Sequence, residues 1–352
     1  MSQIAIEEED PQMKEGGDDA PVVEEKKITP LDPIVRELIF TQNNDVGNAT
    51  RFETALEEGD DSLIYVEERR EWYYWNGTRW IEDTGSAKAT RLFIGIFNGV
   101  ISETKKADGR HFHKTEPAKA KKNKDRIIGF LKATLNRGKI TSALDIAAKL
   151  KGRRKSSSEL DLDPWIASCA NGDIELKRQE LLDPDQDRLI TKQLNATFNK
   201  EAKCPRWDLF IEEVTQGDKE LAIYLQKYAG YCLTGDTEEH FALNLTGQGS
   251  NGKSVFTNAL YHIWGDYGTK VPNDVITKQG RGGGGDESKA SPQTAMLQGA
   301  RLALTSELEE GMWIGESKFK DIVSSDEITA RRLHKDPETF VPTHKLVFCG
   351  NH

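Results

Sequence analysis

The chain has 352 residues, a net charge of −10 and a 36% share of hydrophobic residues. This length allows two or three domains, and the longest apolar run, residues 92–101, is too short to cross a membrane. Four cysteines without C-x-x-C spacing argue against a zinc ribbon and a disulfide framework, and the acidic start lacks the pattern of a secretory signal. We expect a soluble protein of a reducing compartment, without a membrane partner.

The charge is distributed unevenly along the chain. Residues 1–30 hold nine acidic and three basic residues without hydrophobic periodicity, and we predict a disordered acidic tail there. Residues 105–155 hold seventeen Lys or Arg and four acidic residues, a net of +13. This stretch is either a surface that contacts DNA phosphates or a solvated helix face with a charged loop.

The elements after the tail begin with a poorly defined linker, predicted for residues 31–60, in which a short extended segment at 34–40 soon breaks. A strand is predicted at residues 63–65, and Asn76-Gly77 between aromatic residues predicts a β-hairpin. The hairpin aromatics could stack on single-stranded bases, but covering a small core is the favoured interpretation. Apolar spacing then predicts helices over residues 87–151.

A turn with a strand at residues 163–176 and a single amphipathic helix at 209–230 complete this first region. We assign residues 61–236 to a mostly helical α+β domain and residues 237–352 to an α/β core.

The α/β core opens with Gly247-Gln248-Gly249-Ser250-Asn251-Gly252-Lys253-Ser254, a complete G-x-x-x-x-G-K-S loop between an apolar strand and a helical pattern. In that setting the motif predicts a nucleotide site, whereas a plain glycine-rich turn is the alternative. The glycines allow N–H groups to point inward, the lysine can reach the β- and γ-phosphates, and the serine can bind Mg²⁺. The predicted ATP-binding residues are Gly247, Gln248, Gly249, Ser250, Asn251, Gly252, Lys253, Ser254 and Val255.

Acidic and amide side chains follow two further apolar strands. Residues 301–305 lead into Glu307 and Glu309, and residues 345–349 lead into Asn351. Ligands bind at the carboxyl ends of parallel strands, so we expect Glu307 to face the Mg²⁺ from a neighbouring strand, with Glu309 on the same face. Asn351 can orient the lytic water or sense the γ-phosphate. The candidate catalytic residues are Lys253, Glu307, Glu309 and Asn351, and the candidate metal ligands are Ser254 and Glu307.

Two β-like arms between these strands flank a turn that carries His334 and Lys335. Basic side chains at such a tip can hold a phosphate backbone, or the tip can be an ordinary solvated turn.

Together these motifs resemble the superfamily 3 helicases, specifically the phage and plasmid primase-helicase group related to the poxvirus replication ATPase. The resemblance covers roughly residues 60–352. It depends on Asn171-Gly172 with Ile174 and Leu176; Cys204-Pro205, Trp207, Gly230-Tyr231 and Leu233 to Asp236; Gly247 to Ser254; Ser306-Glu307; Lys320, Asp326 and Ile328 to Arg331; and Gly350-Asn351-His352.

This resemblance implies an AAA+ core, a parallel sheet flanked by helices, in a ring that is usually hexameric. It implies ATP and Mg²⁺ as cofactors and translocation 3′ to 5′ on single-stranded or forked DNA, with His334 and Lys335 as the DNA-gripping pair. Lys320 or Arg331 would sense nucleotide across a subunit boundary. Replication proteins would be possible partners, and the host cell cytoplasm would be the location of a phage or viral protein.

The resemblance also places an arginine finger and a last core strand beyond residue 352. We therefore expect a C-terminally truncated helicase, with an incomplete sheet, that binds ATP–Mg²⁺ but hydrolyses it poorly. The first alternative is an ATP-binding, DNA-binding initiator or remnant module without motor activity. A second alternative, a small-molecule P-loop kinase, would need a lid and an acceptor pocket that the sequence does not show.

Overall fold

The structure, a computed structural model, describes residues 29–59, 62–150, 152–247, 249, 251–278, 292–308, 312–332 and 337–350. The α-helices of these residues are α1 Pro33–Phe40, α2 Asp45–Glu57, α3 Ala87–Lys106, α4 Pro117–Thr134, α5 Arg137–Ala147, α6 Pro205–Val214, α7 Lys219–Leu233, α8 Lys253–Trp264, α9 Pro292–Ala295 and α10 Glu316–Val323. The strands are β1 Leu63–Val66, β2 Glu71–Trp75, β3 Trp80–Glu82, β4 Arg154–Lys155, β5 Ile166–Cys169, β6 Gly172–Glu175, β7 Glu180–Leu182, β8 Leu243–Thr246, β9 Gly268–Val271, β10 Leu302–Thr305, β11 Ile328–Arg331, β12 Pro337–Phe340 and β13 Lys345–Gly350.

Residues 31–60, expected as a linker, form helices α1 and α2 instead. The prediction of an extended segment at 34–40 is wrong because Asp32 caps a helix there: its carboxylate accepts from the N–H groups of Ile34 and Val35 at 2.9 and 3.2 Å. Asn44 caps α2 by accepting from Gly47 N–H at 2.7 Å. The two helices contribute to the first hydrophobic core, so they belong to the helical domain.

Helices α3, α4 and α5 confirm the helical prediction for residues 87–151. Helix α3 buries residues at spacings of three and four, and the Asp83 carboxylate accepts from two N–H groups of its first turn at 2.7 and 2.8 Å. The buried face of α3 packs with α2, α4 and α5 around one aromatic cluster, in which the rings of Phe93 and Phe97 stack at 4.1 Å.

The predicted hairpin at Asn76-Gly77 is confirmed. It joins β2 to β3 in a sheet of order β3-β2-β1-β4, and the Asn76 side chain accepts from the N–H groups of Thr78 and Arg79. Trp72 and Trp80 are almost completely buried, at 2% and 3% exposed, which confirms the interpretation of the hairpin aromatics as core.

The predicted α/β core contains a parallel sheet of order β8-β13-β10-β9. Three of its strands are those predicted from the sequence, and β9 is an addition. Alternation along β10 directs Leu302 and Leu304 to the face covered by α7 and α8, and Ala303 to the face covered by α10. Within the described residues β8 is an edge strand.

Residues 166–233 pack into the same hydrophobic cluster as this sheet. The cluster joins Ala167, Ile174 and Tyr228 to Leu243, Phe256 and Val347, among others. Arg301, at the start of β10, strengthens the junction: its guanidinium donates to the carbonyls of Leu233, Asp163 and Ile166 at 2.7, 3.2 and 2.6 Å. The predicted boundary at residue 236 therefore passes through one continuous core.

Candidate nucleotide-binding site

The glycine-rich loop connects β8 to α8 at the carboxyl edge of the parallel sheet. Gly249 and Gly252 have φ angles of 86° and 82°, in the left-handed region that favours glycine. Gly247 is required for another reason: a Cβ atom there would lie 1.7 Å from the Asn251 amide nitrogen. The loop residues Gln248 and Ser250 lie outside the described part of the chain.

Gly252 is also packed against helix α6. A Cβ atom at this position would lie 2.4 Å from Val214 Cγ1 and 3.2 Å from Phe210 Cε2. The helical region that precedes the sheet therefore supports the loop directly, a contact that the sequence did not indicate.

The start of α8 presents donors to the space above the loop. Gly252 is its N-cap and provides no side chain for capping, and the first helical bond is from Phe256 N–H to Gly252 C=O. The N–H groups of Lys253, Ser254 and Val255 thus precede the intrahelical ladder, as anion-binding helix starts require. The Lys253 ammonium donates to the Gly247 carbonyl at 2.8 Å, and the Ser254 and Val255 residues are exposed.

Glu307 lies at the same site. It follows β10, and one cavity of about 370 Å³ is lined by Gly249, Asn251, Gly252, Lys253, Ser254, Val255 and Glu307. Glu307 was expected to follow a strand adjacent to β8, the strand before the loop. This expectation is wrong, because β13 lies between β8 and β10. Two strand spacings, roughly 10 Å, separate β8 from β10, which leaves room for a ligand between loop and carboxylate.

Two further residues meet at this edge and were missed by sequence reasoning. The Asn273 amide donates to the Glu307 carbonyl at 2.9 Å, and its Oδ1 is buried without a hydrogen-bond partner among the described residues. Asn273 follows β9, a strand too short to give a sequence signal. The third strand contributes Cys349: burial raises the pKa of its thiol, while Lys253 lowers it and Glu307 raises it further, so the thiol lies within electrostatic reach of both.

The other predicted site residues lie outside the described part of the chain: they are Glu309, Asn351, His334 and Lys335. The two arms predicted around the last pair are present as the antiparallel strands β11 and β12, which end at Arg331 and begin at Pro337. The roles of these four residues remain predictions.

The residues at the cavity fit a magnesium-bound triphosphate. The described residues contain no cluster of three or more His, Cys, Asp or Glu side chains able to hold a metal ion. Mg²⁺ does not need such a cage, because it usually takes one or two protein oxygens together with phosphate oxygens. Ser254 and Glu307 provide a hydroxyl and a carboxylate beside the uncapped helix start and the Lys253 ammonium.

Two family models match the chain. Residues 49–216 match the family described as D5 N terminal like, and residues 245–352 match a family of unknown function, DUF5906. The first match ends two residues after α6, the helix that supports Gly252, and the second begins in β8 and includes the loop and Glu307.

Two viral proteins, each named "Putative helicase", are similar to the chain. The one from Acanthamoeba polyphaga mimivirus is 26% identical over 80% of this chain and 29% of its own length. The one from Invertebrate iridescent virus 6 is 21% identical over 95% of this chain and 39% of its own length. Together with the D5 N terminal like match, they support a phage or viral primase-helicase-like family.

A solved structure, the apo C-terminal region of NrS-1, aligns with a TM-score of 0.46 and 8% identity over 87% of this chain and 56% of its own. Among the described residues, no helix combines the length and apolar character needed to cross a bilayer.

Proposed function

We propose that this chain contains the nucleotide site of an ATP-dependent, ring-forming DNA helicase that acts in phage, plasmid or viral DNA replication. The observation that carries the proposal is the single cavity shared by Gly249, residues 251–255 and Glu307. A phosphate-binding loop alone indicates nucleotide binding, whereas a carboxylate across the same cavity supports hydrolysis.

The residues of the cavity would have separate roles in binding ATP and Mg²⁺. The backbone donors of the loop and of the α8 start would bind phosphate oxygens, and Lys253 would exchange its bond to the Gly247 carbonyl for one to the β- or γ-phosphate. Bound Mg²⁺ neutralises phosphate charge, and Ser254 and Glu307 would be its protein ligands. The Asn273 amide fixes the backbone at Glu307 and so positions its carboxylate.

The finer parts of the proposal are a superfamily 3 AAA+ architecture, a hexameric ring and movement along single-stranded DNA. His334 and Lys335 would contact DNA, and Glu309 and Asn351 would assist hydrolysis. The two viral proteins named "Putative helicase" support the helicase part of this proposal. Since the chain spans 29% and 39% of their lengths, the activity of the whole protein is itself a proposal.

The test measures ATP–Mg²⁺ binding by isothermal titration calorimetry. Lys253→Ala is expected to lower affinity at least tenfold, because it removes the cation that faces the phosphates. Lys227→Ala, at an exposed position on α7, is the matched control and should bind like the parent. Unchanged ATP affinity in Lys253→Ala would show that the nucleotide binds elsewhere.

A second measurement separates a motor from an initiator-type binding module. ATP turnover stimulated by single-stranded DNA, and abolished by Glu307→Gln while ATP still binds, is expected of a motor. ATP binding that assembles the protein on DNA, without turnover in any form that contains this chain, would favour the binding module.

A further inference from the structure

A second cavity lies more than a hundred residues before the nucleotide loop in the chain, in the helical domain. Its volume is about 540 Å³, and it lies between the segment 108–115 and the first turns of α4. Its lining consists of Asp108, Gly109, Arg110, His113, Lys114, Thr115, Pro117, Ala120, Lys121 and Lys124. We call this cavity the basic pocket.

Hydrogen bonds hold the walls of the basic pocket in place. The Lys124 ammonium donates to the carbonyls of Lys105 and Ala107, both at 2.7 Å, and so ties α4 to the end of α3. The Asn123 amide donates to the Phe112 carbonyl at 3.1 Å. The pocket is therefore formed before any ligand arrives, which lowers the entropic cost of binding.

The lining carries a surplus of positive charge. It contains four Lys or Arg side chains and one carboxylate, Asp108, which already accepts from Arg110 at 2.7 Å. Hydrogen bonds from Arg110 lower the pKa of Asp108 well below its usual range. Lys114 and Lys121 are exposed and belong to none of the ion pairs formed by the described residues. Lys124 contacts two neutral carbonyls and the Phe112 ring, and it likewise belongs to none of these ion pairs.

The start of α4 adds to this positive field. Its N-cap, Glu116, makes no capping hydrogen bond, and its carboxylate pairs with Lys119 at 2.7 Å. Pro117 has no N–H, and the Ala120 N–H bonds the Glu116 carbonyl at 2.9 Å. The N–H groups of Ala118 and Lys119 therefore remain available, with the partial positive charge of a helix start. A cavity with preformed walls, surplus cations and an uncapped helix start fits a phosphate group.

Further exposed cations lie on α4 and at the end of α3: positions 119, 122 and 126 share one face of α4 by their spacing, and residues 105–106 are the last two of α3. They are Lys105, Lys106, Lys119, Lys122 and Arg126. Positions 119 to 126 span about 10 Å along α4, more than one phosphate spacing of a nucleic acid strand. A ligand that carries several phosphates in a row uses such a track, whereas a single small anion does not.

The other basic cluster of this stretch has a structural role instead. Arg153 pairs with Glu53 at 2.7 Å, Arg154 pairs with Glu67, and Lys155 lies 3.5 Å from Glu159. Residues 154–155 also form β4 at the sheet edge. Residues 153–155 are therefore not part of the contact surface suggested by the sequence for residues 105–155.

We propose that the basic pocket binds a phosphodiester of the DNA backbone, without reading bases and independently of the nucleotide site. The proposal rests on the proposed function only in taking DNA as the ligand. The pocket holds the DNA strand against the helical domain, and translocation is carried out by the α/β core.

The test compares two double variants by fluorescence anisotropy with a labelled single-stranded oligonucleotide in the absence of ATP. Lys114→Gln with Lys121→Gln is expected to weaken binding on the order of tenfold at low salt and to reduce the slope of log affinity against log salt by about 1.4. Lys200→Gln with Lys203→Gln removes the same charge from exposed positions before α6 and should retain the parent's affinity and slope.

Several outcomes would overturn the proposal. Parent-like DNA binding by the pocket variant, or an equal loss in the control, would exclude a specific pocket. Residues 1–28 carry nine acidic and three basic residues, so a peptide of that sequence is titrated in parallel. Binding of the peptide, but not of DNA, through Lys114 and Lys121 would make an acidic segment the ligand.

Two further variants keep the result interpretable. Lys121→Glu reverses the charge at one exposed position and provides a second test if the double variant melts at a lower temperature than the parent. Lys253→Ala should bind the oligonucleotide like the parent, whether or not it binds ATP. Failure of the nucleotide proposal and failure of the basic pocket are thus separate results.

Discussion

At the scale of single residues, two glycines of the same loop make different demands. Both Gly249 and Gly252 have left-handed φ angles, but a Cβ atom at Gly249 meets open space, whereas one at Gly252 would overlap Val214. Left-handed strain costs about 1–2 kcal/mol for a non-glycine residue, and overpacking adds about 1–3 kcal/mol. We predict a loss of about 1–2 kcal/mol in the free energy of unfolding for Gly249→Ala and about 2–5 kcal/mol for Gly252→Ala.

Urea denaturation measures both losses, and calorimetry measures ATP–Mg²⁺ affinity in the same proteins. Gly252→Ala should also weaken ATP–Mg²⁺ binding because the loop must move away from α6. Adding Val214→Ala to Gly252→Ala should restore part of the stability. Equal losses for the two glycine variants would mean that the contact with α6 is unimportant.

At the scale of elements, His344 ties helix α10 to strand β13. Its Nε2 donates to the Ile322 carbonyl at 3.0 Å, and its Nδ1 is buried without a hydrogen-bond partner among the described residues. Burial lowers the pKa of His344 to about 4 from the ordinary value of 6.5. The unfolded chain therefore binds a proton between pH 6.5 and 4 that the folded chain does not, so stability falls as pH falls through this range.

The expected loss from His344 is on the order of 3 kcal/mol between pH 6.5 and 4. His344→Gln keeps a donor for the Ile322 carbonyl and should flatten this part of the stability curve, measured by urea denaturation at several pH values. His262→Gln removes an exposed histidine and should leave the curve unchanged. A parallel fall in His344→Gln and the parent would contradict the assignment.

Elements with strong local signals could be predicted from the sequence, and elements set by tertiary contacts could not. The Asn76-Gly77 hairpin, helices α3, α4, α5 and α8 and strands β8, β10 and β13 follow from periodicity and turn chemistry. The single helix predicted over residues 209–230 is instead divided into α6 and α7, because Gln216 and Gly217 adopt positive φ angles of 53° and 78° between them. Strand β9 has four residues and only one of them is buried, so its place in the sheet depends on β10. The contributions of Asn273 and Cys349 to the site depend on that same assembly.

At the scale of the whole molecule, the hydrophobic cores do not follow the domain boundary that the sequence predicted at residue 236. One core lies within residues 39–148, and a second joins residues 167–232 to residues 243–347. Buried cations reinforce the second core: Arg301 donates to three carbonyls before or within the helical stretch, and Lys345 donates to the carbonyls of Thr234 and Asp236. The hydrophobic core against the parallel sheet therefore includes residues that precede the first strand of that sheet.

This arrangement predicts how fragments behave. Residues 160–352 retain the partners of the second core and should unfold cooperatively, whereas residues 237–352 lack Ala167, Ile174 and Tyr228 and the carbonyls that satisfy Arg301. A buried guanidinium without acceptors costs several kcal/mol, comparable with the whole stability of a small domain. Thermal denaturation by circular dichroism should show a sharp transition for the longer fragment and a broad one for the shorter, and only the longer should bind ATP–Mg²⁺. A sharp transition in residues 237–352 would instead establish that the sheet and its loop form an independent unit, with α6 dispensable for nucleotide binding.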